Sequence, residues 1–276
     1  RFIMGGAASC AFIGVLHLVA RWVPPIHFAF FAGIVEMMGA LGGFCGTKYL
    51  SLLLERFDWR TTVTGFAYVG FVLAVLIVLF VRNQPSTQKV IHDHKRTRTI
   101  WYDLKIILHS RETWAISAYS FCIWAPILSL SFWGVEFICL KQNFDGVAAA
   151  QIIAFAWVGT ICASPFIGWL SDFIQRRCII MIICALSGAI AMTIVIFVAN
   201  IPTGVLYLLM FAIGFASSGQ TLSFALIKDN NSPYTNSAAN GFSNMAIVAG
   251  GLLFQPLVGR ILDMHWQGLI RAGVHV

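Results

Sequence analysis

Eight long runs of mostly apolar residues follow one another along the chain and restrict its fold more than any other feature. They lie at roughly 2–20, 27–53, 61–81, 114–138, 148–170, 178–199, 203–227 and 238–262. An α-helix needs about 20 such residues to cross the hydrocarbon core of a bilayer. The run at 72–80 does not alternate apolar and polar residues, as a strand of a membrane barrel would. The sequence therefore predicts an all-α polytopic membrane protein.

Composition and motif content argue against other classes of protein. Charged residues make up 11% of the chain, whereas soluble domains have about 25%. The seven cysteines form no C-x-x-C pair, so we interpret them as packing residues and not as a disulfide or zinc framework. Neither H-E-x-x-H nor G-x-S-x-G occurs. We expect no enzymatic activity, cofactor, metal or nucleic-acid partner.

The basic residues between the runs predict the orientation in the membrane. One side collects eleven of them (Arg21, Arg82, Lys89, Lys95, Arg96, Arg98, Lys105, Arg111, Arg176, Arg177 and Lys228) and the other side five (Arg56, Arg60, Lys141, Arg260 and Arg271). Since cytoplasmic loops are rich in Lys and Arg, the connection at 82–113 is predicted to be a basic cytoplasmic central loop. Part of it is either a helix on the membrane surface, as Trp101 and Tyr102 suggest, or a solvated linker.

An internal repeat relates the two ends of the chain at an offset of 208 residues. Gly33 matches Gly241, Met37 matches Met245, and 42–43 matches 250–251. This offset carries the second run onto the eighth, so the repeating unit has six helices. We therefore expect 1–81 to be the last three helices of an N-terminal six-helix bundle. Segment 114–276 would be a C-terminal bundle lacking its last helix, which gives eight of twelve helices in all.

Three motifs resemble those of the major facilitator superfamily. The segment from Gly168 to Arg177 matches that family's G-x-x-x-D-x-x-x-R-R loop, here between helices eight and nine. Arg1 and Gly5 resemble its R-x-x-x-G motif in helix four, and the glycine-rich segment 39–46 resembles its helix-five motif without the usual Gly-Pro pair. The resemblance covers the whole chain as helices four to eleven, and it implies two bundles with two-fold related helices.

The resemblance implies a conformational latch made by Gly168, Asp172, Arg176 and Arg177. In the family this acid contacts basic groups and neighbouring helix ends when the cytoplasmic side is closed. The alternative is that Arg176 and Arg177 only fix the orientation of the chain. We favour the latch because topology does not require an acid at position 172.

Charged and polar residues inside the predicted helices indicate candidate contacts for substrate or protons, because a buried charge in a membrane is costly unless it has a role. Arg1 could bind an anionic group, and Glu36 could pair with Arg1 or carry a proton. In the family, helices seven and ten line the central cavity. We therefore also name Trp133, Gln220 and Asn244 as candidate substrate contacts. For tryptophan the interfacial belt is an equal alternative.

Glycines at spacings of four residues predict close helix contacts. The candidate helix-packing glycines are Gly39, Gly42, Gly43, Gly46, Gly250 and Gly251.

Together these features favour a secondary active transporter. We expect it to carry a small polar solute (an amino acid, a dipeptide or an organic anion) by rocker-switch alternating access, with proton coupling as a further expectation. The alternative is a non-transporting receptor or sensor on the same fold. We expect it to work as a monomer in a lipid bilayer, the inner membrane of a bacterium.

Overall fold

The computed structural model describes residues 2–82, 100–232, 234–265, 270–271 and 274–275. In chain order the elements are α1 (Phe2–Trp22), a 3₁₀ turn (Pro25–His27), α2 (Phe28–Arg56), α3 (Trp59–Phe80), α4 (Ile100–His109), α5 (Arg111–Gln142), α6 (Gly146–Ile174), α7 (Arg177–Phe197), α8 (Thr203–Ser217), α9 (Gln220–Asn230), α10 (Asn236–His265), β1 (Ile270–Arg271) and β2 (Val274–His275). The two short strands pair antiparallel. Each of the eight predicted runs coincides with a helix or, at 203–227, with two helices in succession, and the all-α class is confirmed.

Membrane-crossing length is the common property of most of these helices. Among the described residues, seven helical segments are long and apolar enough to cross a bilayer, and Ala11–Trp22 is a shorter apolar helix. Helices satisfy their backbone hydrogen bonds internally, as hydrocarbon requires. Along α3 even large apolar side chains are exposed, with Val78 at 82%. Such a surface is stable against lipid, so the chain is a multi-pass membrane protein.

The predicted run at 203–227 is interrupted, which the apolar pattern did not reveal. The Ser218 N–H donates to the Phe215 carbonyl at 3.2 Å, and the Gly219 N–H donates to the Ala216 carbonyl at 3.0 Å. Both bonds reach back three residues, so the α-helix tightens into a 3₁₀ turn here and divides into α8 and α9. Both helices together form one membrane-length segment, Thr203–Asn230.

The described part of the predicted central loop contains a helix. In α4, Ile107 is fully buried, whereas Trp101 is 76% exposed. Ile107 packs in a small cluster with Ile227 and Ala239, so α4 lies near α9 and α10. Ser110 separates α4 from α5 and caps α5 by accepting a hydrogen bond from the Thr113 N–H. A helix is therefore present at Ile100–His109, its placement on the membrane surface stays a prediction, and residues 83–99 lie outside the described part.

We call α1–α3 the N-terminal group and α5–α10 the C-terminal group. One apolar core lies within the C-terminal group and includes Ile127, Ile152 and Met210. A second core joins the two groups, because it contains Leu16 and Phe28 together with residues of α6, α7 and α9. This shared core lies at the end of the molecule that carries α4, which we call the α4 end.

Candidate functional site

The closest contact between the two groups is the antiparallel crossing of α2 and α6. A Cβ added to Gly168 would lie 2.3 Å from the Ala29 carbonyl oxygen, and one added to Gly33 would lie 2.2 Å from the Ser164 carbonyl oxygen. Real Cβ atoms do not approach carbonyl oxygens so closely, so any larger residue would push the helices apart. Gly168, a predicted latch residue, therefore sets how closely the N-terminal and C-terminal groups approach.

Asp172 connects the groups at the α4 end of this crossing. The Phe30 N–H, in the first turn of α2, donates to Asp172 Oδ2 at 2.9 Å. The first N–H groups of a helix lack partners within the helix and carry a partial positive charge. The carboxylate of α6 thus caps a helix of the other group, and this hydrogen bond exists only while the two groups are in contact.

Arg177 holds Asp172 from the side of the C-terminal group. Its Nη1 lies 3.4 Å from Asp172 Oδ1, and its Nε lies 2.6 Å from Asp229 Oδ2 at the end of α9. Gln175 makes this possible, since its left-handed backbone (φ 59°) ends α6 and turns the chain directly into α7. Arg176, by contrast, is exposed. These groups therefore form one network, in which the Phe30 N–H contacts Asp172, Asp172 contacts Arg177, and Arg177 contacts Asp229.

Apolar and polar contacts close the same end around this network. In the shared core, Phe12 of α1 packs on Phe224 of α9 with ring centroids 5.1 Å apart. His17 Nδ1 and Ser237 Oγ share a hydrogen bond of 2.8 Å between α1 and α10. In this structure the N-terminal and C-terminal groups are consequently closed against each other at the α4 end.

Glu36 lies on the same side of α2 as Gly33, one turn further from the α4 end, and it is partly buried. The helix face that meets α6 therefore continues from the closed end toward this carboxyl group. Arg1, its predicted partner, lies outside the described residues. The pairing of Arg1 with Glu36 stays a prediction.

Gln220 lies directly after the 3₁₀ turn, at the first position of α9. It is 1% exposed, and neither atom of its side-chain amide has a hydrogen-bond partner among the described residues. The Thr221 and Ser223 hydroxyls, in the same part of the chain, are buried and likewise lack a partner in the described ranges. Buried polar groups usually have partners, so this unpaired set in mid-membrane is suited to a polar ligand or water.

Trp133 and Asn244 lie on other helices. Trp133 Nε1 donates to the Gln255 carbonyl of α10 at 3.2 Å, so the indole already has a partner within the C-terminal group. Asn244 is partly buried on α10, next to Ser243, whose hydroxyl shares a hydrogen bond of 2.8 Å with Ser120. Their contact with a substrate stays a prediction.

The predicted glycines differ in their surroundings. A Cβ added to Gly39 or Gly42 would meet no described atom within 4 Å, and one added to Gly43 would make an ordinary contact with Trp157. Gly250 and Gly251 face α5 at ordinary to tight distances. The surroundings of Gly46 are not described. Among the described residues the closest backbone approaches lie instead at Gly33, Gly168, Gly159 and Gly214, so the packing role of Gly39 and Gly42 stays a prediction.

Sequence reasoning missed the partners of the network. The backbone of Phe30 and the carboxylate of Asp229 lie 142 and 57 positions from Asp172 and are joined to it only by folding. The adjacent opposite charges of Lys228 and Asp229 at the end of a predicted span were the one available signal. Phe30 carried none, because the contact uses its backbone N–H, which every residue but proline has.

Comparison with known proteins agrees with this architecture. The profile of the Major Facilitator Superfamily matches residues 1–263. The hexuronate transporter of Bacillus subtilis (strain 168) is 20% identical over 259 residues, which cover 89% of this chain and 61% of that protein. Probable anion transporter 6 of Oryza sativa subsp. japonica is 22% identical over 284 aligned positions, covering 95% of this chain and 66% of that protein. Probable anion transporter 5 of Arabidopsis thaliana is 20% identical, covering 95% and 65%. The chain thus spans less than two thirds of the length of these relatives, and it belongs to the Major Facilitator Superfamily.

Proposed function

We propose that the complete protein is a secondary transporter that carries a small organic anion by alternating access. Membership of the superfamily supports transport, and the names of the hexuronate transporter and the two probable anion transporters support an anionic substrate. Amino acids and dipeptides remain the other members of the predicted substrate class. The α4 end is the cytoplasmic side in this proposal, as the basic residues of 82–113 predict.

The observation that carries the proposal is the cap that Asp172 places on α2. Because the Phe30 N–H and the carboxylate belong to different groups, their hydrogen bond of 2.9 Å forms in the closed state and breaks when the groups separate. A contact that exists in only one of two conformations shifts the equilibrium between them. In the proposal, 1–81 is the last three helices of one six-helix bundle and 114–276 is a second bundle without its last helix, and the two bundles rock about a central site.

The central site in this proposal contains the unpaired amide of Gln220 and the carboxyl group of Glu36, with Arg1, Trp133 and Asn244 as further contacts. Arg1 supplies positive charge for an anionic substrate, and Gln220 supplies donors for its oxygen atoms. A substrate bound there pairs polar atoms that are otherwise buried without partners. The proposal assigns proton coupling to Glu36, and its partly buried position on the face of α2 that meets α6 supports this role.

Counterflow into proteoliposomes holding the full-length protein tests the proposal. We expect exchange of labelled glucuronate, with unlabelled amino acids, dipeptides and phosphate failing to compete. The variant Gln220→Leu should lose most of this exchange, because Leu fills the site without pairing the substrate. Gln151→Leu is the matched control, since Gln151 is exposed on α6. Exchange of an amino acid or a dipeptide in place of glucuronate would reject the organic-anion assignment, and absence of any flux would favour a receptor or sensor.

A second test concerns the charged candidates. Arg1→Ala and Glu36→Gln should each abolish stabilisation of the protein by glucuronate in a thermal unfolding assay. Unchanged stabilisation in both variants would remove these two residues from the proposed site. Glu36→Gln should also remove any dependence of uptake on an imposed proton gradient.

A further inference from the structure

Lys228 meets the ring of Phe28 across the two groups at the α4 end. Its Nζ lies 4.0 Å from the centroid of the Phe28 ring. Lys228 is in the last turn of α9, in the C-terminal group, whereas Phe28 begins α2, in the N-terminal group, and is fully buried. A cation over an aromatic face within about 6 Å is attracted by the ring quadrupole. This contact therefore joins the same two groups as the Asp172 cap, through different atoms.

The ammonium group has few other sources of stabilisation. Its Nζ is buried and makes no hydrogen bond to any residue within the described ranges. A lysine in the last turn of a helix commonly bonds the free carbonyls of that turn or extends to water. The neighbouring carboxylates are already engaged, Asp172 by the Phe30 N–H and Arg177, and Asp229 by Arg177. Asp229 and Asp172 also attract the ammonium group electrostatically and Arg177 repels it. The ring of Phe28 is its aromatic partner at 4.0 Å.

We propose that Lys228 and Phe28 form a cation–π clasp that favours the closed α4 end in addition to the Asp172 network. The clasp rests on the proposed alternating-access function, because it requires that the two groups separate. On separation Phe28 moves away with α2, and the ammonium group gains water in place of the ring. The clasp is then lost in the open state, as the Asp172 cap is, and it biases the same equilibrium.

Pulsed electron resonance distances on the full-length protein in nanodiscs test the clasp. With native cysteines replaced, spin labels at Ile26 and Asn230 report the separation of the groups, since both positions are exposed and lie on opposite groups. The populations of short and long distances give the open-to-closed ratio. The Asp172→Asn background raises the open population into the measurable range.

A double-substitution cycle isolates the contact from packing losses. Phe28→Leu should raise the open-to-closed ratio about tenfold more when Lys228 is present than in Lys228→Met, because only the first background contains the clasp. The quantity tested is this difference between the two backgrounds, which is the coupling of Phe28 with Lys228. The single substitution Lys228→Met is less informative, because Met also removes the cost of burying the ammonium group. Lys228→Arg should keep the coupling, since guanidinium groups also stack on rings.

The matched control is Lys141 with Phe137. Its Nζ lies 5.5 Å from the ring centroid, but both residues belong to α5, so the contact does not join the two groups. Phe137→Leu should therefore leave the ratio unchanged in either Lys141 background. Three results would each overturn the clasp. Phe28→Leu could change the open-to-closed ratio equally with Lys or Met at position 228, no variant could change that ratio, or the coupling could be lost in Lys228→Arg. If the unsubstituted protein shows no glucuronate counterflow but Phe28 and Lys228 remain coupled in this cycle, the proposed substrate is rejected and the clasp is retained.

Discussion

Replacing Asp172 by Asn should shift the protein toward the open α4 end. Asn keeps the shape of the side chain and an oxygen that can accept the Phe30 N–H, but it removes the negative charge. The hydrogen bond at 2.9 Å spans the two groups, whereas the contact with Arg177 lies within the C-terminal group, so separation of the groups does not by itself break it. The shift therefore depends on the Phe30 contact.

Its size can be worked from the geometry. The side chain of Asp172 is only 6% exposed, so solvent screens the charge weakly. Hydrogen bonds to charged groups contribute about 1.5–3 kcal/mol, roughly twice the value for neutral pairs. Losing the charge while keeping a neutral bond then costs about half of that, about 0.75–1.5 kcal/mol, which corresponds to about fourfold to tenfold in the open-to-closed ratio. Asp172→Ala removes the bond entirely and should shift the ratio further.

The spin labels at Ile26 and Asn230 measure this ratio directly. Asp145→Asn is the matched control, since Asp145 precedes the opposite end of α6 and makes no side-chain capping bond. A shift below about threefold in Asp172→Asn, or an equal shift in Asp145→Asn, would refute the assignment of the cap as a conformational contact.

Three further predictions concern packing and burial. Gly168→Ala should lower thermal stability in detergent by about 1–3 kcal/mol, because its Cβ would meet the Ala29 carbonyl oxygen at 2.3 Å, while Gly42→Ala, with no described atom within 4 Å, should not lower it. Ser120→Ala should cost about 1 kcal/mol in the same assay, because it leaves Ser243 without its 2.8 Å partner across α5 and α10. Gln220→Leu should leave thermal stability unchanged or raise it, since both amide atoms lack partners among the described residues, and should abolish stabilisation by glucuronate. A large loss of stability in Gln220→Leu would indicate that the amide is structural.

The local parts of the latch followed from the motif, and its partners did not. The segment from Gly168 to Arg177 indicated which acid and which bases lie at the end of α6, because residues so close in the chain stay close in the fold. That Arg177 and not Arg176 meets Asp172 depends on the left-handed backbone of Gln175. That the acid caps α2 depends on how two distant helices cross.

The glycines make the same distinction. Spacing of four residues singled out Gly39 and Gly42, but the backbones touch at Gly33 and Gly168, where carbonyl oxygens lie within 2.3 Å of the added Cβ positions. Glycines four residues apart show that one face of a helix lacks side chains. They do not show which other helix packs against that face. The break after Ser217 was missed although residues 217–221 are small or polar, because the predicted run at 203–227 was taken from its overall apolar length.

The sequence by itself determined that the chain is a set of membrane helices, and it located most of their ends. This was possible because a segment in hydrocarbon must satisfy its backbone hydrogen bonds internally. A long apolar run is therefore enough to predict a helix. Only the tertiary structure decided which residues meet at the α4 end, namely Asp172 with Phe30 and Lys228 with Phe28. Those contacts join helices far apart in the chain, and their energies depend on distances that no local pattern encodes.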